Sequence, residues 1–155
     1  MTDRHDLLAD QIEIQDVICS VPLGSDLRDV DNYRVFTDDA VMDYSSTGAG
    51  AAVNIHDFKK MVMQFRPGFD ATQHQVSNFE IDVRGDTATC RSSVYAMHRV
   101  GTAFGWNAGT YYHTLVRTAE GWRIKHLRYE LAFKDDRDNV TELARRQLQA
   151  RTGQS

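Results

Sequence analysis

The pattern of hydrophobic and polar positions divides the chain into a helical first part and a β-rich second part. Apolar residues recur at helical spacing over residues 6–21 and 55–65, which predicts a helix over each stretch. Pro22 and Pro67 come shortly after these stretches, where helices commonly end, and Asn54 is suited to cap the second helix. Between them we expect a short helix over residues 28–36, a strand over 40–44 and a flexible, glycine-containing loop over 45–52.

From residue 72 onward the hydrophobic period changes to two, which is typical of β-strands. The alternation predicts four strands, over residues 72–83, 87–100, 105–118 and 121–133. Turns that contain Gly85 and Gly121 favour hairpins, so the four strands should form an antiparallel meander. In the last strand the apolar residues change parity between Ile124 and Leu127. This phase change predicts a bulge near Lys125 and a bend in the sheet.

The order of elements is typical of the α+β class. Helices come first, the meander follows, and a last amphipathic helix carries Val140, Leu143, Ala144 and Leu148. We therefore expect helices packed on one face of a curved antiparallel sheet, within one domain over residues 1–155. A chain of 155 residues is long enough to enclose both a core and an internal pocket.

Charge and cysteine content exclude several classes of partner. The formal net charge is −4 and no basic block occurs, so we expect neither nucleic acid nor an anionic membrane as a partner. No run approaches the ~20 apolar residues of a membrane span. The first residues are polar, unlike a signal peptide, and Cys19 and Cys90 lack paired spacing. These features favour a cytoplasmic protein without disulfides.

Two histidines on predicted strands are candidates for acid–base chemistry, since imidazole transfers protons near pH 7. His98 has the same parity as a small apolar set (Ala88, Cys90, Val94, Ala96), so it should point inward. His74 shares its parity with Val76 and Asn78, a face that is less clearly part of the core. Asp26 lies in a predicted turn between two helical patterns. It could pair with a histidine or cap the helix predicted to begin near Arg28.

Four segments of the sequence resemble the SnoaL-like branch of the nuclear transport factor 2-like superfamily. They are Asp26-Leu27-Arg28-Asp29, the stretch FTDDAVMDY at 36–44, Thr72-Gln73-His74 and the stretch LVRTAEGWRI at 115–124. Within that superfamily the chain is most similar to scytalone dehydratase and related small lyases. The resemblance implies a cone-shaped, cystatin-like fold, in which a curved sheet and helices enclose one deep, mostly apolar pocket.

The resemblance also implies roles for individual residues. It pairs Asp26 with His74 as a base, makes Tyr44 a donor to a substrate carbonyl, and lets His98 assist the departure of a hydroxyl group. The family has a tyrosine just before the aspartate, where this chain has Ser25. Further expected contacts with substrate come from the remaining pocket candidates: Tyr111 and His113, which share a strand face, Ser25, and the apolar Phe65 and Trp106.

These features predict a cofactor-independent lyase of the dehydratase type, acting on a small, largely apolar carbonyl or hydroxy-carbonyl compound. No metal is expected, because the histidines lack the spacing of a metal site. The alternatives are an isomerase or polyketide cyclase of the same fold, a non-catalytic ligand-binding module, and the small subunit of a ring-hydroxylating dioxygenase. Proteins of this shape usually assemble, so we also expect a homo-oligomer, either a dimer or a trimer.

Overall fold

The computed structural model describes residues 4–153, which form three α-helices and one six-stranded sheet. The helices are α1 (Arg4–Leu27), α2 (Ile55–Phe65) and α3 (Val140–Thr152). The strands are β1 (Phe36–Asp43), β2 (Val53–Asn54), β3 (Ala71–Arg84), β4 (Thr87–Val100), β5 (Ala103–Thr118) and β6 (Gly121–Asp135). Short 3₁₀ turns cover Val30–Val35, Ser45–Thr47 and Arg66–Gly68. None of the helices within residues 4–153 has the length and apolar character needed to cross a membrane.

The sheet has the strand order β2-β1-β6-β5-β4-β3. Strands β3 to β6 form the predicted antiparallel meander, and the α+β class is confirmed. The pairing of β1 with β6 is parallel, however, and departs from the prediction of a wholly antiparallel sheet. These two strands are joined through α2 and three hairpin strands, so no tight turn forces them to run in opposite directions.

Two bulges in β6 bend the sheet. Thr114 pairs with His126 and Leu115 with Ile124, which leaves Lys125 as the extra residue and confirms the bulge predicted from the parity change. A second shift in the pairing leaves Ala132 unpaired, and the hydrophobic pattern of the sequence did not predict this shift. Bulges increase the local twist, so both curve the sheet around the helices.

Helix α1 is longer than its hydrophobic stripe predicts. It continues through Pro22 to Leu27, and Arg28 then adopts a left-handed conformation (φ 58°). Proline removes one helical hydrogen bond, yet Pro22 and its neighbour Val21 are buried, and this packing holds the helix together. The prediction of a turn around Asp26 was therefore wrong, because Asp26 lies in the last turn of α1.

The N-cap role considered for Asp26 is also contradicted. The cap of the 3₁₀ turn Val30–Val35 is Asp29, whose carboxylate accepts a hydrogen bond from the backbone N–H of Asp31 at 2.9 Å. The carboxylate of Asp26 is thus available for other partners.

Helix α1 packs across the inner face of the curved sheet. Ile14 and Ile18 of α1 are fully buried against the sheet, together with Trp122, Ile124 and Leu127 of β6. A partly buried ion pair holds the same helix. Arg117 donates to both oxygens of Asp10 at 2.8 and 2.7 Å, and the Trp122 indole donates to one of them at 3.1 Å. This packing leaves the C-terminal turn of α1 at the other end of the sheet, beside β3.

Candidate active site

A cavity of about 350 Å³ lies between the end of α1, α2, the inner face of the sheet and the start of α3. Of the residues predicted to take part in chemistry, His74, His98 and Tyr44 line it. Of the residues predicted to contact substrate, Tyr111, Ser25, Phe65 and Trp106 line it as well. Asp26 does not line the cavity itself but is bonded to His74, which does. The volume is at the lower end of the range for small-molecule sites.

Asp26 and His74 form a closely bonded pair. Nδ1 of His74 lies 2.7 Å from Oδ1 of Asp26, and the backbone N–H of His74 donates to Oδ2, also at 2.7 Å. The hydroxyl of Thr72 donates a third hydrogen bond to the same carboxylate at 2.8 Å. Both side chains are largely shielded from solvent, with 11% of Asp26 and 8% of His74 exposed. The carboxylate is therefore fixed in position, and it fixes the imidazole in turn.

The hydrogen bonds define the tautomer of His74. A carboxylate can only accept, so Nδ1 carries the proton. Nε2 is then the unprotonated nitrogen, and it accepts a long hydrogen bond from Nη2 of Arg66 at 3.4 Å. Burial lowers the pKa of His74 below 6.5, and the charge of Arg66 adds to this effect, while Asp26 opposes it. For Asp26, burial works to raise the pKa, but the bonds and charge of His74 outweigh it and the pKa is lowered. At neutral pH the pair is a neutral imidazole on a carboxylate.

His98 lies next to this pair on the neighbouring strand. Its ring centroid is 5.8 Å from that of His74, and Phe69 packs on it at 4.9 Å. The inward orientation predicted from strand parity is confirmed. Burial lowers the pKa of His98 to about 3, helped by the nearby Arg66 and His74. His98 is consequently neutral at pH 7 and is not an imidazolium acid.

Two tyrosine hydroxyls stand on another wall of the cavity. The hydroxyl of Tyr44 donates to that of Tyr111 at 3.5 Å. Tyr111 therefore acts as an acceptor toward Tyr44 and keeps its own proton for a further acceptor. Burial raises the pKa of both phenols above their ordinary value, so both keep their protons at neutral pH.

Ser25 lies just before Asp26, at the position where the resembled family has a tyrosine. Its hydroxyl is 2.7 Å from the hydroxyl of Tyr33, a residue of the 3₁₀ turn after α1. Gly24 allows this turn to approach, because a Cβ there would come within 2.7 Å of the Asn32 Cβ. A tyrosine hydroxyl therefore reaches the position from a different part of the chain, which the sequence pattern did not reveal.

Sequence reasoning also missed Arg66. It follows the last residue of α2, and its side chain enters the cavity beside His74. The available signal was its place four residues after Val62, where it continues the apolar stripe of α2. A charged residue on a stripe that faces the interior is unfavourable in a hydrophobic core, so its presence indicates a functional site.

His113 does not line the cavity, so its predicted contact with substrate is contradicted. It shares a strand face with Tyr111, as expected, but its ring lies behind that of Tyr111 at a centroid distance of 5.6 Å. Two residues further along β5 this strand face belongs to the core, and His113 lies there between Cys90 of β4 and Leu127 of β6. It is 3% exposed, and burial lowers its pKa to about 4.

Within residues 4–153, no group of three or more His, Cys, Asp or Glu side chains is arranged to hold a metal ion. The functional groups that line the cavity include two neutral imidazoles, phenol and serine hydroxyls and the Arg66 guanidinium, and Asn107, Lys134 and Asp136 line it as well. Such a set can accept a proton from carbon and stabilise negative charge on oxygen.

Comparisons with known proteins agree with this architecture. The uncharacterized protein Rv2910c of Mycobacterium tuberculosis is 34% identical over 124 residues, which cover 76% of this chain and 82% of that protein. The crystal structure of the Kfla4162 protein from Kribbella flavida superposes with a TM-score of 0.80 at 25% identity, covering 90% of this chain and 99% of that one.

Two further structures share the fold at lower identity. A Novosphingobium aromaticivorans protein with the provisional name scytalone dehydratase has a TM-score of 0.75 at 24% identity, with 83% of this chain and 88% of that chain covered. A type 2 hexachlorocyclohexane dehydrochlorinase, LinA, has a TM-score of 0.73 at 19% identity, with 86% and 92% covered. The profile of the SnoaL-like domain matches residues 6–128. The chain therefore belongs to the SnoaL-like domain family.

Proposed function

We propose that the protein is a cofactor-independent lyase that eliminates a leaving group from a small carbonyl compound. One observation carries the proposal: Asp26 holds His74 with its proton on Nδ1 and its basic Nε2 toward the cavity, beside Arg66. A neutral imidazole in this setting is a general base at neutral pH.

In the proposed reaction, Nε2 of His74 removes a proton from the carbon next to the substrate carbonyl. The electron pair of that C–H bond moves toward the carbonyl oxygen and forms an enolate. The pair then returns to form a carbon–carbon double bond, and the bond to a hydroxyl group on the adjacent carbon breaks. The hydroxyl leaves with a proton from the His74 imidazolium, so water forms and the base is regenerated.

The neighbouring groups support these steps in different ways. The Tyr111 hydroxyl, aligned by its hydrogen bond from Tyr44, donates to the oxygen on which negative charge develops. His98 is neutral, so it serves as a hydrogen-bond partner for the leaving hydroxyl, and His74 remains the proton source. A positioned base typically contributes ~10²–10⁴-fold to the rate, and enclosure of the substrate supplies a further part.

The structural neighbours support elimination as the reaction class. Dehydratase and dehydrochlorinase are names for enzymes that remove water and hydrogen chloride. At these identities the similarity establishes the fold alone, so the proposal for this chain rests on the pair formed by Asp26 and His74.

The proposal is tested with a panel of small β-hydroxy ketones and matched ketones without the hydroxyl, incubated with the protein in D₂O and followed by proton NMR. Elimination appears as new vinyl signals, and loss of the α-proton signal reports proton abstraction alone. The same panel is run on His74→Gln and on a control, His56→Gln, in which an exposed histidine is replaced. We expect the control to match the parent protein and His74→Gln to lose the reaction.

The same measurement separates the alternative functions. Exchange without vinyl products would indicate an isomerase or cyclase, which uses the same base but no leaving group. Ligand-induced shifts without exchange would indicate a binding module. Full turnover by a folded His74→Gln variant would overturn the assignment of the base.

A further inference from the structure

The side chain of Arg66 is a cation whose hydrogen-bonding capacity is mostly unused by the protein. A guanidinium has five N–H donors, and the bond to Nε2 of His74 is the one that Arg66 makes within residues 4–153. No carboxylate of those residues forms an ion pair with it. Asp26 acts on it electrostatically, but the hydrogen bonds of that carboxylate go to His74 and Thr72. The surrounding phenols of Tyr33, Tyr44 and Tyr111 carry no charge at neutral pH.

The backbone holds Arg66 firmly in this place. Its N–H completes the last turn of α2 by donating to the carbonyl of Val62. Helix α3 then fastens the following turn, since Arg151 donates to the Pro67 carbonyl at 2.6 Å and Gln147 to the Gly68 carbonyl at 3.2 Å. The guanidinium is thus presented to the cavity from a fixed turn.

A shielded guanidinium whose donors lack acceptors is costly, and the carboxylate of Asp26 acts on it only across the imidazole of His74. We propose that Arg66 binds a carboxylate of the substrate, so that the site takes small anionic carbonyl compounds. This inference rests on the proposed function, because it names the substrate class of the same site. An anion supplied by the ligand would form the charge-assisted, two-point contact for which the guanidinium is shaped.

The position of Arg66 also defines where the carboxylate lies relative to the reacting carbon. Nη2 of Arg66 and Nε2 of His74 are 3.4 Å apart. A ligand oxygen bound to Nη2 and a carbon facing Nε2 are then near neighbours in the same molecule. The carboxylate should therefore be attached to the reacting carbon. A lone carboxylate activates that carbon weakly, so the carbon must also neighbour a ketone or an aromatic ring, whose developing charge Tyr111 can stabilise.

The anion subsite is tested by direct binding, without turnover. The probes are benzoate and its neutral counterpart benzamide, titrated against the fluorescence of Trp106, which lines the cavity, while the core residue Trp122 supplies a constant background. We expect benzoate to bind more tightly than benzamide by at least roughly tenfold, the loss expected when a charged hydrogen bond is absent. Arg66→Gln should erase this preference, and Arg66→Lys should retain part of it.

Lys134→Gln is the matched control, because Lys134 is the other Lys or Arg side chain that lines the cavity. It should leave the preference for benzoate in place, whereas loss of the preference in this variant would assign the effect to general positive charge. Equal affinity for the two probes, unchanged benzoate binding in Arg66→Gln, or no benzoate binding up to its solubility limit would each overturn the proposal. Arg66→Lys keeps the test valid if Arg66→Gln does not fold.

Failure of this inference can be distinguished from failure of the proposed function. His74→Gln should still prefer benzoate while losing proton abstraction. If a protein that prefers benzoate shows no dependence of turnover on His74, the assignment of the base fails alone. If His74 is required but benzoate and benzamide bind equally, the anion subsite fails alone.

Discussion

Asp26 and His74 are joined through both the main chain and the side chain of the histidine. One carboxylate oxygen accepts from the His74 backbone N–H and the other faces Nδ1 of its ring, each at 2.7 Å. The last turn of α1 is therefore fastened to β3 at the same residue whose ring it orients. A change at Asp26 should consequently affect the local structure of β3 as well as the imidazole.

Replacing Asp26 with asparagine should slow elimination strongly. The amide keeps the shape of the carboxylate but removes the negative charge that stabilises the imidazolium, and it permits the wrong tautomer of His74. We expect a fall in kcat of about 10²–10⁴-fold, measured on a substrate from the NMR panel. Asp38→Asn, at an exposed aspartate, is the matched control and should keep the parent rate. A folded Asp26→Asn variant with the parent kcat would show that the pair is structural only.

The pH dependence of kcat/KM should show an acid limb and then a plateau. The base works only when neutral, and burial together with Arg66 lowers the pKa of His74 below 6.5. Activity should therefore rise with pH through that lowered pKa and be constant by about pH 7. The pKa values of Tyr44 and Tyr111 are raised, so no loss of a phenol proton should reduce the rate near pH 9. An acid limb centred above pH 7 would contradict this assignment.

His113 should make the fold sensitive to acid. Its ring lies near the backbone of Cys90, but neither ring nitrogen has a partner of full hydrogen-bond geometry among the described residues, and its pKa is lowered to about 4. Below pH 6.5 the unfolded chain binds a proton that the folded chain excludes, so stability falls as the pH decreases. The slope is about 1.4 kcal/mol per pH unit, which gives about 3 kcal/mol by pH 4.

Urea unfolding at pH 7 and pH 4.5 tests this contribution. His113→Leu conserves the volume approximately and cannot be protonated, so at pH 4.5 it should be more stable than the parent protein by about 2 kcal/mol. At pH 7 the two proteins should agree within about 1.5 kcal/mol. His56→Leu, at an exposed site, should follow the parent curve. Equal acid sensitivity of His113→Leu and the parent protein would refute the prediction.

The sequence predicted those features that depend on local periodicity. Parity alone oriented His98 toward the interior and located the bulge at Lys125, since both follow from alternation along one strand. Asp26 was placed in a turn because proline usually ends a helix, whereas the packing around Pro22 carries α1 on to Leu27. Tertiary packing overrode the local preference there.

The other differences have a similar cause. His113 was assigned to the cavity from its parity with Tyr111, but two residues further along β5 the same face belongs to the core. Arg66 and the contact between Ser25 and Tyr33 depend on turns that bring separate segments together. The stripe of α2 was the available sequence signal for Arg66, whereas no spacing indicated the contact between Ser25 and Tyr33. The structure was therefore needed to find Arg66 and the contact between Ser25 and Tyr33, whereas His74 was already the candidate base in the sequence.

The proposed chemistry depends most on the protonation state of His74, which ¹⁵N NMR of the imidazole ring reports directly. Selective labelling of histidine, with His74→Gln to assign its signals, gives the shifts of both ring nitrogens across a pH titration. We expect a neutral ring at pH 7 with the proton on Nδ1 and an unprotonated Nε2, titrating below pH 6.5. A His74 ring that is an imidazolium at pH 7, or that carries its proton on Nε2, would contradict the proposed chemistry.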